Sequence, residues 1–145
     1  MSELITYNHQ IPIQIRFVDV DRLNHVNNSC YLSYFELARV CYFDEVFKGV
    51  IEWDKKGFVL ARTEIDHLIP IYLNDEIHCF TKVIKLGNKS LTIENSLIKK
   101  TNGAELLCAK GIGVLVAFDY VSQGSIDIPD VWRKRISDFE ASSRV

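Results

Sequence analysis

Four long strand-like segments follow one another at residues 58–68, 76–86, 90–99 and 105–118, with only short turns between them. The stretch "IPIYLND" holds a proline break and a turn, "LGNKS" a tight turn, and "TNG" the Asn-Gly pair favoured in two-residue hairpins. Parallel neighbours need a crossover of about a dozen residues or more, and none of these linkers is that long. The segments therefore predict an antiparallel meander. A sheet of this kind needs an apolar partner for at least one of its faces.

That partner is written upstream. Residues 11–18 alternate Ile11, Ile13, Ile15 and Phe17 against Pro12, Gln14 and Arg16, the period of a half-buried strand. From Tyr31 the apolar residues recur at Tyr34, Phe35, Ala38, Cys41, Tyr42 and Val46, which is helical spacing, and Gly49 supplies a stop. Leu32, Leu37, Val40 and Phe43 widen the apolar stripe, so this helix is expected to be covered over much of its circumference. A short final helix, with Pro129 near its start, is expected to dock through Val131, Trp132, Ile136 and Phe139 ahead of a polar tail. In a chain of 145 residues, 48% of them apolar, this order predicts one α+β domain spanning residues 1–145. An antiparallel sheet wrapped around a long central helix satisfies both apolar surfaces at once.

Several classes of function fall away. The formal net charge is only −2 and the Lys and Arg residues are scattered, so the basic footprint of a nucleic-acid binder is missing. Arg133, Lys134 and Arg135 read as a solvated helix face. No run approaches the roughly 20 apolar residues of a membrane span, and "MSELITYNHQ" lacks the basic start and apolar stretch of a signal peptide. A cytoplasmic protein with no membrane partner is expected. Cys30, Cys41, Cys79 and Cys108 lack the CxxC spacing of zinc or redox sites, which leaves them as reduced packing residues.

Between strand and helix the chain crowds Asp19, Asp21, Asn24, His25, Asn27, Asn28 and Ser29 into one short window. A turn and a helix cap use one or two such residues. The excess points to a site.

The window "DVDRLNHVNNSCY" and the "YFELAR" that follows it, with "FVLARTEID", "PIYLNDEI" and "LGNKSL" further on, resemble the hotdog-fold acyl-CoA thioesterases of the 4-hydroxybenzoyl-CoA thioesterase type. The likeness runs from Ile11 to Phe118, nearly the whole chain. It implies an acyl-CoA substrate, a homodimer or homotetramer with active sites at the subunit interface, and no metal or redox cofactor. Many relatives have glycine where this chain has Asn24, and asparagine tolerates a left-handed backbone better than most residues. The motif is also similar to that of plant acyl-ACP thioesterases, although Leu23 stands where theirs has asparagine.

Matched residue by residue, the carboxylate that acts on the thioester is Asp21. A carboxylate can activate water as a general base or attack directly to form a mixed anhydride. The charge that builds on the carbonyl oxygen needs fixed donors, and the free N–H groups of a helix start provide them. Asn27 and Asn28 sit where the helix should begin, with His25 expected to orient or lock the turn. Asp19 is expected to bond turn amides, and Cys30 to pack. Glu36, about two helical turns beyond Asn28, is a reserve catalytic carboxylate, with an ion pair to Arg39 as its structural alternative. Lys89 and Ser90, in "LGNKS", and Arg62 are expected to meet the phosphates of coenzyme A. Two further readings stay open: an acyl-ACP thioesterase, and a module that binds acyl thioesters without turning them over.

Overall fold

The computed structural model describes residues 6–142. Strand β1 (His9–Ile13) leads through a 3-10 turn (Phe17–Asp19) into helix α1 (Asn28–Phe47). Strands β2 (Lys56–His67), β3 (Glu76–Leu86), β4 (Ser90–Thr101) and β5 (Ala104–Asp119) follow, then a two-residue strand β6 (Gly124–Ser125) and helix α2 (Asp130–Ala141). The strands form one antiparallel sheet in the order β1-β3-β4-β5-β2, with β6 added to β5. The four long strands thus lie within two residues of their expected bounds. The β4–β5 hairpin turns on Asn102 and Gly103 at φ of 46° and 76°, the paired positive angles that a tight hairpin turn demands.

The first strand departs from expectation. Pairing with β3 stops at Ile13, and residues 17–19 curl into the 3-10 turn, leaving Phe17 82% exposed. The alternation of 11–18 was real only as far as the sheet could use it. Beyond that point the Asp19 carboxylate accepts a hydrogen bond from the Arg16 amide and bends the chain away.

Helix α1 begins at a capped asparagine and ends at Lys48, in the left-handed conformation with φ 46°, one residue before the expected glycine. Its buried side chains form two clusters. Tyr31, Tyr34 and Phe35 pack with Ile71, Ile77 and Leu97, while Tyr42, Phe43 and Phe47 pack with Phe58, Leu91 and Trp132. The helix approaches β5 so closely at Gly111 that a Cβ there would stand 2.5 Å from the Phe35 ring. The expectation that most of the circumference would be covered does not hold within one chain: Leu32, Leu37 and Val40 are about half exposed. The sheet covers one face of α1, and a single sheet face can cover no more.

At the other end of the chain Trp132 and Ile136 are buried as expected, but Val131 is exposed. Arg133 also differs from a solvated residue. Its guanidinium donates to the carbonyls of Gly87 at 2.8 Å and Asn88 at 3.3 Å, clasping the β3–β4 turn to α2. Among the described residues, no helix is long and apolar enough to cross a membrane. Residues 143–145 of the expected polar tail, and 1–5 of the N-terminal stretch, lie outside the described residues.

Candidate active site

The polar window folds as a loop held at both ends. At its entry Asp19 is 1% exposed and accepts four hydrogen bonds: from the Arg16 amide (3.0 Å), Arg16 Nε (3.1 Å), Arg16 Nη2 (2.8 Å) and the Tyr34 hydroxyl (2.7 Å). Burial pushes the Asp19 carboxyl up, but the bonds from Arg16 and Tyr34 outweigh it and hold the group below the usual carboxylate range. The same contact, added to burial, pushes the Tyr34 hydroxyl up. Asp19 is therefore the structural carboxylate of the pair, although it bonds one amide and two side chains rather than turn amides alone.

Asp21 is exposed at the loop surface. Its Oδ1 accepts from the amides of Leu23 (2.9 Å) and His25 (3.3 Å), and its own amide donates to the His25 carbonyl at 2.8 Å. Only Oδ1 is engaged in these bonds; among the described residues Oδ2 accepts none. The turn is possible because Asn24 takes φ 64°, a left-handed angle that asparagine adopts more readily than other side-chain-bearing residues.

At its exit the loop becomes α1. Asn27 is the N-cap: its Oδ1 accepts from the Ser29 amide and hydroxyl, both at 2.9 Å, and its carbonyl accepts from the Cys30 amide at 2.9 Å. Of the three amides at the helix start, those of Asn28, Ser29 and Cys30, the last two are thus taken by the cap. Among the described residues the Asn28 amide alone of these three has no acceptor within the chain, and it lies at the positive end of the α1 dipole. The exit is pinned by the Val26 amide, which donates to the Ile71 carbonyl at 2.8 Å, and by the His25 ring, set edge-on to Tyr72 with centroids 5.0 Å apart.

Asp21, His25, Asn27 and Asn28 are brought together as expected; the remaining candidates are not. Glu36 is exposed farther along α1, and among the described residues it makes no ion pair with the half-buried Arg39. Arg62 points from β2 into an ion pair with Glu64. Lys89 and Ser90 lie past the end of β3, whose 11 residues run away from the Tyr72 segment, a distance of about 35 Å at ~3.4 Å per residue. Within one chain these residues and Asp21 share no site. Burial pushes the Cys30 thiol up, which suits packing rather than nucleophilic attack. Among the described residues no group of three or more His, Cys, Asp or Glu is arranged to hold a metal ion. Sequence reasoning missed Arg16, Tyr34 and Tyr72, which hold the loop from outside the motif; only the chemistry of Arg16 beside a buried acid gave any signal.

The chain matches the family model of the thioesterase-like superfamily over residues 15–136. It is similar to a thioesterase of Thermus thermophilus solved in complex with coenzyme A and Zn, at 36% identity and a TM-score of 0.81, over 94% of this chain and 97% of that one. It is 26% identical over 108 residues to the chloroplastic acyl-acyl carrier protein thioesterase ATL2 of Arabidopsis thaliana, covering 73% of this chain and 57% of the relative. An aspartate-to-asparagine variant of 4-hydroxybenzoyl-CoA thioesterase, bound to 4-hydroxybenzoyl-CoA, shares the fold with a TM-score of 0.79 at 15% identity, over 88% of this chain and 97% of that one. The chain spans little more than half the length of the curated relatives it matches.

Proposed function

The chain belongs to the thioesterase-like superfamily, and from that premise we propose that it hydrolyses acyl-CoA thioesters to a free carboxylic acid and coenzyme A, with Asp21 as the group that acts on the thioester. One observation carries the reading. An exposed carboxylate with one oxygen tied to loop amides and the other without a bond among the described residues stands a few residues from the unpaired Asn28 amide at the start of a 20-residue helix. That arrangement supports an attacking group and an oxyanion donor on one loop.

In the general-base form, Asp21 Oδ2 takes a proton from water, the hydroxide adds to the thioester carbon, and the carbonyl oxygen gains the negative charge that the Asn28 amide and the helix dipole hold. Collapse restores the carbonyl, expels the thiolate of coenzyme A, and the proton on Asp21 passes to the leaving sulfur. In the nucleophilic form Asp21 Oδ2 itself adds, the thiolate leaves, and water cleaves the mixed anhydride. His25 holds the turn, and Asn27 caps the helix.

Among the described residues strand β2 ends the sheet with an unpaired edge of 12 residues, and α1 leaves Leu32, Leu37 and Val40 about half exposed. Unpaired edges of this length are usually covered. We read a homodimer or homotetramer as the working unit, the hotdog sheet curling around α1 and a second copy closing the acyl site. Any contact of Lys89, Ser90 or Arg62 with coenzyme A phosphates then comes across that interface. The likeness to a plant acyl-ACP thioesterase favours a second reading, an acyl-ACP substrate at the same loop.

Thiol release from butyryl-, lauroyl- and benzoyl-CoA, and from an acyl-ACP, tests these readings with wild type and Asp21→Asn. Release from the CoA esters that falls by about 100-fold or more in the variant supports the proposal. Release from acyl-ACP alone favours the second reading. Binding of every ester with release of none refutes hydrolysis and leaves a binding module.

A further inference from the structure

The Asp21 loop is fixed at its entry by Asp19, a member of the motif itself. Its exit is fixed by a segment far off in sequence, the β2–β3 connection at 69–75, which is itself a loop and needs an anchor of its own. That anchor is visible. Lys99 Nζ, rising from β4 near the middle of the sheet, lies 2.8 Å from Asp75 Oδ2 and 3.1 Å from the Pro70 carbonyl, and sits 5.3 Å from the centre of the Tyr72 ring. Asp75 Oδ2 also accepts from the Tyr72 amide at 2.7 Å, and the Asp75 amide returns a bond to the Tyr72 carbonyl at 3.1 Å. Both side chains of the ion pair are largely buried, 12% and 22% exposed. A pair withdrawn from water in this way is geometrically stiff, unlike the exposed pairs elsewhere on the surface.

From Tyr72 the path continues in one step. Its ring meets His25 edge-on, the two residues form an isolated antiparallel bridge, and the neighbouring Ile71 carbonyl takes the Val26 amide. His25 in turn donates its amide to Asp21 Oδ1 and accepts the Asp21 amide at its carbonyl.

We infer that Lys99 and Asp75 are positioning residues for the reaction, a clamp on β4 and the β2–β3 turn that sets the Asp21 carboxylate through Tyr72 and His25. This rests on the thioester-hydrolase reading for its catalytic half. The physical need is plain: a reacting group must be held to about 0.5 Å, and a loop carboxylate exposed to solvent has no packing of its own to do so. Strand β4, paired on both sides, is the rigid body from which the constraint is transmitted.

The test uses Lys99→Met, which keeps the stem and removes the ammonium, Lys99→Arg as the conservative rescue, and Tyr72→Ala, which removes the ring contact with His25 and keeps the backbone bridge, at a position that is 40% exposed. Deuterium uptake is measured for the peptide covering 20–28, and kcat and KM for the acyl-CoA ester that wild type turns over fastest. Lys99→Met and Tyr72→Ala are expected to raise uptake in 20–28 and lower kcat by about 10- to 100-fold with KM changed by less than about twofold, and Lys99→Arg to restore most of both. A role confined to stabilising the β2–β3 turn would leave Tyr72→Ala at wild-type uptake and kcat, and that result overturns the clamp. Should Lys99→Met fail to fold, Tyr72→Ala decides alone. Wild type that releases no thiol from any ester removes the hydrolase reading, while the uptake comparison still decides whether the clamp exists.

Discussion

Replacing Asp19 by Asn separates its structural role from the chemistry proposed for Asp21, two residues on. The carboxylate accepts four hydrogen bonds on two oxygens. Asparagine has one acceptor oxygen. If that oxygen keeps the Arg16 amide and the Tyr34 hydroxyl, the new NH₂ group faces the donors of the Arg16 guanidinium, and both charged bonds are lost. Hydrogen bonds to charged groups contribute about 1.5–3 kcal/mol net. The Arg16 side chain is 64% exposed and returns to water, which places the expected cost near the lower end, about 2 kcal/mol. For a chain of this length that lowers the melting temperature by roughly 4–8 °C. The pH dependence sharpens the test. The folded carboxyl titrates below its unfolded value of about 3.9, so its contribution is complete above that pH and disappears as pH falls through the folded value. Thermal melts of both proteins should show a constant gap between about pH 5 and 7 that closes in stronger acid. A gap that widens in acid, or melting temperatures that coincide at neutral pH, would show that the Arg16 and Tyr34 bonds do not support the loop.

Three shorter predictions follow from the same framework. Gly111→Ala puts a Cβ 2.5 Å from the Phe35 ring; the helix must lift from the sheet, and denaturant melts should show a loss of about 1–3 kcal/mol. Asn27→Ala removes the acceptor for the Ser29 amide and hydroxyl and should cost about 1 kcal/mol by the same assay, with Asn27→Asp near wild type. For the proposed dimer paired through β2, a lysine in place of Leu60, exposed on that strand, should shift the mass toward monomer in light scattering and depress the proposed thiol release with it; an unchanged mass would remove β2 as the pairing surface.

The long strands, both helices and the gathering of Asp21, His25, Asn27 and Asn28 were legible in the chain itself, because each depends on neighbours within a few residues: period-two alternation, 3.6-residue spacing, an Asn-Gly turn, a side-chain cap. The misreadings share a different cause. Alternation carried the first strand through Phe17, but a strand lasts only as long as β3 is there to pair with it, and β3 is some 65 residues away in register, with Ile13 opposite Ile77. Leu32, Leu37 and Val40 looked like core because periodicity counts apolar residues and says nothing about how much sheet is available to cover them. The place of Lys89 and Ser90 was equally out of reach of local reading, because a basic turn is a local feature, whereas its distance from Asp21 within one chain is set by the length and direction of β3. The contacts that hold the candidate carboxylate in place, Tyr34 to Asp19 and Lys99 through Asp75 and Tyr72 to His25, join positions 15 to 74 residues apart. Local chemistry thus wrote the loop and its candidate groups into the sequence. Which of those groups are locked, and from where, was decided only when the folded sheet brought distant strands against them.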